Sequence, residues 1–395
     1  MWGRIAGLAL AGLIATGWAG AADAQTPLKI GFLGELSGSL GSTGNSQRAG
    51  FLLYLKLHDN KLGGRPVTVV PEDTAGDPAT AIAKAKKLVE SDKIDALVGP
   101  VSSNSGAAIR DYLIDQHMPV LIGSTVDDVL DGKYIFRTTF SGDSEGYLDG
   151  YLAGTAGHKR AIAIAPNYSA GQTSVANVEK GFRATGGVMV QKLFPRLGMA
   201  DFASIIGQFD SSADVAIVFL PGADGVRFIK QYADYGKPLP LHGPSATVDE
   251  ASLPAEGKAA EGFIGSSPYF STIDTPENKI FAKAFFDETK NMPSWPAAAG
   301  YISGQLLDAA LTKLGGKSDD REALVAALKA TDIATPEGRF RYDAMNNPIS
   351  PRYAMQIREV EGVMKPIIFG IIPEYPRGTV KPDLPADLTF PKTGK

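Results

Sequence analysis

The sequence predicts an α/β protein of two units, each an open parallel sheet with helices wound on both faces, meeting across a ligand cleft. Apolar strand-like runs alternate with helical segments from Leu28 to Ser124, at the spacing of a doubly wound sheet. From Tyr134 the alternation restarts on the same plan, without residue-level repetition. Short polar residues also collect in the loops where strands pass into helices, the carboxyl ends at which such sheets hold ligands.

The elements follow in order. "LKIGFLGELSG" is a buried strand ending in glycine, and a helix covers about 43–58, with Phe51, Leu52, Tyr54 and Leu55 apolar and Gly63 and Gly64 after it. "RPVTVVPED" is the second strand. "DPATAIAKAKKLVESD" is a helix capped by Asp77 with Pro78 at its first position. "IDALVGP" and "MPVLIGS" are the third and fourth strands, and the third helix starts between them at "PVSSNSG". The second unit opens with strand and helix in "YIFRTTFSGDSEGYLDGYLAG". It continues with the strand "KRAIAIAPN", a helix over about 171–185 and the strands "GVMVQKLFP", "ADVAIVFLPG" and "LPLHGPS". "DGVRFIKQYADYG" is a helix between the last two. Helices "TPENKIFAKAFFDETK", "PAAAGYISGQLLDAALTKLGG" and "REALVAALKATD" precede the strand-like "GRFRYD" and "YAMQIREVEG". From Pro373 the chain is rich in proline and charge and is expected to be an extended tail.

Composition narrows the class. Met1 to Ala24 has a basic residue (Arg4), an apolar stretch and the small-x-small "ADAQ", which read as a signal peptide cleaved between Ala24 and Gln25. What remains, about 370 residues, is the length of two domains. The chain has no cysteine, so no lipid-anchor site, disulfide or thiolate metal ligand is available. A length of 395 residues with 44% hydrophobic and 21% charged residues can bury a core without disulfides. A net charge of -4 gives no electrostatic case for nucleic acid. The mature chain is expected to be exported and soluble, without direct membrane insertion.

Enzyme signatures fall short. "LGGKSDD" resembles part of a P-loop, but Leu311 stands where its first glycine is needed. Gly38, Gly41 and Gly44 are three apart and suit a tight strand-to-helix turn better than a dinucleotide fingerprint. No GxSxG elbow occurs. His58, His117, His158 and His242 do not cluster in sequence and are expected at the surface or as satisfied core residues. No catalytic group, metal or cofactor is therefore expected. The loops "SGSLGSTG", "PVSSNSG", "GSTVDD", "PNYSAGQ", "LPGADG" and "HGPSATVDE" carry small hydroxyls, glycine or asparagine. One such loop alone would be a helix cap. Six on one chain, without an acid–base pair, point to a cleft that grips its ligand by hydrogen bonds. Ser102, Ser103, Asn104 and Ser105 are the sharpest case: helix amides and hydroxyls converge on one spot, an arrangement suited to an anion.

The chain resembles the type I periplasmic solute-binding proteins of ABC transporters, in particular the branched-chain-amino-acid (leucine)-binding group. The likeness covers nearly the whole mature chain. "LKIGFLGELSG", "GGRPVTVVPEDTAGDPATAIAKAKKLVESDKIDALVGPVSSNS", "QYADYGKPLPLHGPS", "AAEGFIGSSPYF" and "AAAGYISGQLLDAAL" carry it by their order and spacing. It implies two Rossmann-like lobes joined by three crossings, near Ser141, Pro268 and Ile349. The N-terminal lobe would be 25–141 and 269–349, the C-terminal lobe 142–268 and 350–372, with the tail at 373–395. It further implies a monomeric, non-enzymatic periplasmic receptor that closes on a small molecule by hinge motion and hands it to a permease with its ATPases. A ligand-sensing regulator shares the fold, but the export signal counts against a cytoplasmic sensor.

The resemblance also implies a site. Ser103, with nearby helix amides, takes the ligand carboxylate, and Ser124 and Thr125 add a carbonyl and a hydroxyl, with Val126 in place of a family threonine. Tyr168 covers the ligand, Thr43 belongs to the first loop, and Gly222 lies near the place of a missing family tyrosine. Asn104 is a further contact, suited also to small amides. Binders of α-amino acids carry a glutamate for the ammonium where this chain has Ser245. Unless Asp224, Asp249 or Glu250 replaces it, an ammonium in the closed cleft has no counter-charge. The expected ligand is therefore a carboxylate with an uncharged body, with aromatic acids ahead of branched-chain amino acids or amides, and with Tyr168 and Tyr301 available to stack on a ring.

Overall fold

A computed structural model describes residues 1–3, 26–236, 239–375, 382, 384 and 388–390. The signal-peptide reading lies outside the described residues, the first three apart. Strand β1 (Leu28–Gly34) is followed by α1 (Gly41–Leu57), a short β2 (Lys61–Leu62) and β3 (Arg65–Asp73). Helix α2 (Pro78–Lys86) starts as its sequence requires: Asp77 accepts the Thr80 amide at 2.7 Å and Pro78 fills the first position. It runs on into one π-helical stretch, Lys87–Asp92. Strand β4 (Ala96–Val98), α3 (Ser103–Asp115), β5 (Val120–Ile122) and β6 (Ile135–Arg137) complete a sheet of order β2-β3-β1-β4-β5-β6, parallel except for β2 with β3.

The second unit begins with α4 (Gly142–Thr155), β7 (Arg160–Ile164), α5 (Ser169–Ala184), β8 (Val188–Leu193), α6 (Ala203–Ile206) and β9 (Val215–Val218). It continues through α7 (Ala223–Asp234), β10 (Leu241–Pro244), α8 (Leu253–Glu256) and β11 (Ile264–Ser267). The chain then returns to the first unit as α9 (Pro276–Thr289), α10 (Trp295–Lys313) and α11 (Arg321–Lys329), and forms a small sheet of β12 (Asp332–Thr335), β13 (Gly338–Tyr342) and β14 (Pro348–Ile349). Finally β15 (Arg352–Val360) and β16 (Val363–Ile372) join the second sheet antiparallel, giving the order β16-β15-β11-β10-β9-β7-β8. The two wound sheets expected from sequence are present. Strand β16 had no sequence expectation, because Pro366 and Gly370 break up its strand pattern.

Close helix packing holds each unit. A Cβ at Gly50 would strike the Ala297 carbonyl, and one at Gly300 the Gln47 carbonyl, so α1 and α10 touch backbone to backbone. Gly150 and Gly181 do the same for α4 and α5. Beyond the second sheet, buried Tyr375 donates from its hydroxyl to the Ser144 carbonyl at 3.2 Å, and Leu384, Leu388 and Phe390 pack beside it. One histidine departs from expectation. His242 on β10 is buried with neither ring nitrogen bonded; its ring lies 5.2 Å edge-on from His158, and burial pushes its pKa down to about 3. It is a neutral core residue, but not a satisfied one.

The three passages between units meet at one buried polar cluster. Arg352, where β14 hands over to β15, places Nε 3.1 Å from Glu145 Oε2 at the start of α4. Its Nη1 donates to the Ser350 hydroxyl at 2.8 Å and the Pro351 carbonyl at 2.9 Å. Ser266, at the end of β11, lies 2.8 Å from Glu145 Oε1 and 2.6 Å from Asp149 Oδ1. One hydroxyl proton cannot serve two carboxylates. Burial and the neighbouring Glu145 raise the Asp149 pKa well above the carboxylate range, so Asp149 is a neutral acid that donates its own proton. The cluster then holds the Glu145–Arg352 ion pair, in which burial raises the Glu145 pKa, a neutral Asp149, and a third buried carboxyl, Glu337, which accepts the Ser350 hydroxyl at 3.5 Å and whose pKa burial pushes up to about 7.

This assignment separates two substitutions. Arg352→Met strands a buried carboxylate and should cost about 3–5 kcal/mol, whereas Asp149→Asn keeps a neutral polar group and should cost under about 1 kcal/mol. Because the folded Asp149 pKa is raised, its stabilising protonated form is fully present at acid pH and lost as pH rises through that value. The amide of the Asp149→Asn variant does not titrate, so the variant should gain on the parent as pH rises. Urea unfolding across pH 5–9 measures both; equal losses at neutral pH would refute the assignment.

Candidate functional site

The site begins where β4 ends and α3 starts. Ser102 caps the helix, its Oγ accepting the Ser105 amide at 3.4 Å. Behind the loop, fully buried Glu35 accepts the amides of Val101 at 3.1 Å and Ser102 at 3.0 Å, and the Thr74 hydroxyl at 2.9 Å. Glu35 thus braces the loop from behind through the two amides that precede α3. Among the described residues the amides of Ser103 and Asn104, the first two of α3, keep no protein acceptor, as geometry requires at a helix start. Ser103 is buried and accepts the Ser124 hydroxyl at 3.1 Å, which leaves its own proton to donate.

Arg137 on β6 shapes the neighbouring loop. It donates from Nε to the Ser124 carbonyl at 2.8 Å, from Nη2 to the Val126 carbonyl at 2.6 Å and from Nη1 to Asn347 Oδ1. The Ser124 carbonyl expected to face the ligand is therefore engaged by a guanidinium. Thr125 reaches the second unit, its carbonyl accepting the Gly142 amide at 2.7 Å.

Between the units lies a narrow cavity of about 20 Å³. Thr43, Ser103 and Thr125 give it hydroxyls; Phe140, Tyr168, Phe219 and Trp295 give it aromatic walls, with Leu40, Val101, Pro221 and Ala246 filling the rest. None of these side chains is ionised. Trp295 packs edge-on to Phe140 at 5.2 Å, and its buried Nε1 has no acceptor. The Tyr168 hydroxyl is kept protonated by burial, reinforced by the charges of Glu35 and Asp224. An outer cavity of about 350 Å³ shares Thr43 with the inner one and opens toward Arg227 and Asp249.

Four of the eight residues expected at the site, Thr43, Ser103, Thr125 and Tyr168, line the inner cavity, and Ser124 supports Ser103. The others lie elsewhere. Asn104 Oδ1 accepts the Ser169 hydroxyl at 3.1 Å and bridges the units. Gly222, at φ +65°, presses on the loop that leads into α1: a Cβ there would sit 3.0 Å from the Ser39 carbonyl and 3.6 Å from the Ser42 and Thr43 hydroxyls at the helix start. Ser245 turns its hydroxyl to Ser267 Oγ at 2.7 Å, and Ala246 faces the cavity instead.

Tyr301 is not a stacking platform, since it is buried in the first unit against Phe281 at 4.6 Å and Tyr54 at 5.1 Å. Trp295, on the same helix, holds the aromatic place. Of the three candidate counter-charges, Asp224 binds Arg227 and the Gly198 amide, and Glu250 takes the Ser271 amide at 2.7 Å. Asp249 accepts the Ala251 and Ser252 amides and lines the outer cavity. None reaches the inner one. Phe219 and Ala246 sit just past β9 and β10, where the strand-end rule could have found them; Phe140 and Trp295 carry no local signal.

Gly222→Val tests the contact between units. A β-branched residue at φ +65° costs at least about 1–2 kcal/mol, and its side chain meets α1. The units should be propped apart, raising the radius of gyration of the ligand-free protein in small-angle scattering. A variant as compact as the parent would disprove this contact.

The sequence profile of a family described as periplasmic binding protein matches residues 27–362. Among solved structures, a solute-binding protein of an R. palustris ABC transporter in complex with benzoate is 30% identical, with TM-score 0.84, covering 88% of this chain and 97% of that one. A solute-binding protein of an ABC transporter from Rhodopseudomonas palustris BisB5 in complex with 3,4-dihydroxybenzoic acid is 25% identical with TM-score 0.84, covering 89% and 98%. The Leu/Ile/Val-binding protein homolog 6 of Brucella melitensis biotype 1 is 28% identical over 363 residues, 89% of this chain and 92% of the relative.

Proposed function

The chain belongs to the periplasmic binding protein family, and on that premise we propose that it is the receptor of an ABC importer, capturing a small aromatic or related organic acid between its lobes. One observation carries the ligand class: the inner cavity joins hydroxyls and aromatic rings without any ionised side chain. A carboxylate would find the Ser103 and Asn104 amides and the Ser103 hydroxyl at one end, and its ring would meet Tyr168, Phe219 and Trp295. An α-amino acid would bring an ammonium with nothing to neutralise it in a closed cleft. The benzoate and dihydroxybenzoate bound by the two solved relatives are acids of this kind.

In this reading the protein works in the periplasm as a monomer without catalysis, and its closed form is presented to a permease and its ATPases. No helix among the described residues is long and apolar enough to cross a membrane, which accords with a receptor that meets its permease from outside the bilayer. The rival reading, a branched-chain amino acid receptor, is favoured by the name of the Brucella relative.

Calorimetry separates the two. Benzoate should bind more tightly than leucine, isoleucine or valine. Ser103→Ala removes a hydrogen bond to a charged group, worth about 1.5–3 kcal/mol, and should weaken benzoate binding roughly tenfold to a hundredfold. Micromolar leucine binding with no response to aromatic acids would reverse the proposal.

A further inference from the structure

The inner cavity is too small for the ligand it is meant to hold. About 20 Å³ is room for roughly one water. The space available between the lobes lies next to it, in the outer cavity of about 350 Å³. Thr43 lines both, and consecutive residues divide between them: Pro221 faces inward and Gly222 outward, Trp295 inward and Ser294 and Pro296 outward. A ligand anchored at Ser103 and longer than one ring therefore leads past Thr43 into the outer space.

The lining changes character along that line. The inner cavity carries no charge, whereas the outer one carries Asp249 and Arg227 beside Ser42, Ser46 and Ser252. Arg227 is already committed, to Asp224 and to the Met199 carbonyl at 2.9 Å. Asp249 is not: Oδ1 accepts the Ala251 amide at 2.8 Å and the Ser252 amide at 3.0 Å, while Oδ2 has no protein partner among the described residues. An acceptor with a spare oxygen in the outer cavity calls for a donor on the ligand.

From this we infer that the preferred ligand is an elongated carboxylate, with its acid end at Ser103 and a hydrogen-bond donor at its other end that reaches Asp249 in the outer cavity. The inference rests on the organic-acid reading above and narrows it. Ser42 and Thr43 hydroxyls line the passage and accommodate polar substituents on the ligand body.

A four-member series tests it by calorimetry on the mature protein: benzoate, 4-hydroxybenzoate, trans-cinnamate and 4-hydroxycinnamate. The expected result is that 4-hydroxycinnamate binds at least tenfold tighter than benzoate and several-fold tighter than cinnamate. Ala255→Leu, which fills the outer cavity, should reduce the ratio of 4-hydroxycinnamate to benzoate affinity toward one. Benzoate binding as tightly as 4-hydroxycinnamate would overturn the inference and leave the organic-acid reading standing. Cinnamate matching 4-hydroxycinnamate would overturn the role of Asp249, and a ratio unchanged in Ala255→Leu would overturn the location. If none of the four acids binds while leucine does, the organic-acid reading itself fails.

Discussion

The fold depends on how its three inter-lobe passages are held in register, and the buried Arg352 cluster does this. Glu145 stands just after the first passage, Ser266 just before the second and Arg352 just after the third, and all belong to one hydrogen-bonded group. Separate passages would let the lobes slide as well as hinge. Fastened at one point with their charges satisfied internally, they leave opening and closing as the soft motion. The cluster can stay buried because one guanidinium meets the Glu145 carboxylate while burial raises the pKa of the other two carboxyls, Asp149 and Glu337, which favours their neutral forms.

Electrostatics at the cleft follow a similar economy. Glu35 occupies the two amides just ahead of α3, those of Val101 and Ser102, so the protein places its own carboxyl at the back of the loop. A carboxylate, if it is the ligand as proposed, would be held by what remains: two amides and a hydroxyl polarised through the Ser124-to-Ser103 bond. Such a site grips an anion by aligned dipoles and not by a counter-ion. That suits reversible capture, because no buried ion pair has to be broken on release.

Much of this was legible in the sequence, and the boundary has physical causes. Alternating apolar runs and the Asp77–Pro78 start fixed the first sheet and α2, because those signals are local. Thr43, Ser103, Thr125 and Tyr168 came from loops that the resemblance placed in order, and all four line one cavity. Glu35 escaped notice because its partners are 66 and 67 residues away in sequence. Ser245 and Ala246 show a second limit. Neighbouring residues past a strand end face opposite ways, so a placement in error by one residue exchanges a cavity wall for a hydroxyl bonded to Ser267. Tyr301 and Trp295 show a third: six residues apart on one helix, they lie in a core and in a cleft, and helical periodicity alone does not tell which end of the helix meets the other lobe.

The narrowness of the inner cavity gives closure its energetics. Phe140 and Trp295 pack edge-on and are buried with Phe219 in one lining, and the Asn104–Ser169 bond and the Gly222 contact join the lobes. A ligand that enters must separate these surfaces and then replace their burial with its own. Its net affinity is therefore its gross contact energy less the closed-state contacts that it displaces. Small acids gain least from that exchange, because one ring replaces little more than what it pushes aside. A longer molecule would also bury surface in the outer cavity. The proposed selection for length would thus follow from the shape of the cleft, before any single hydrogen bond is counted.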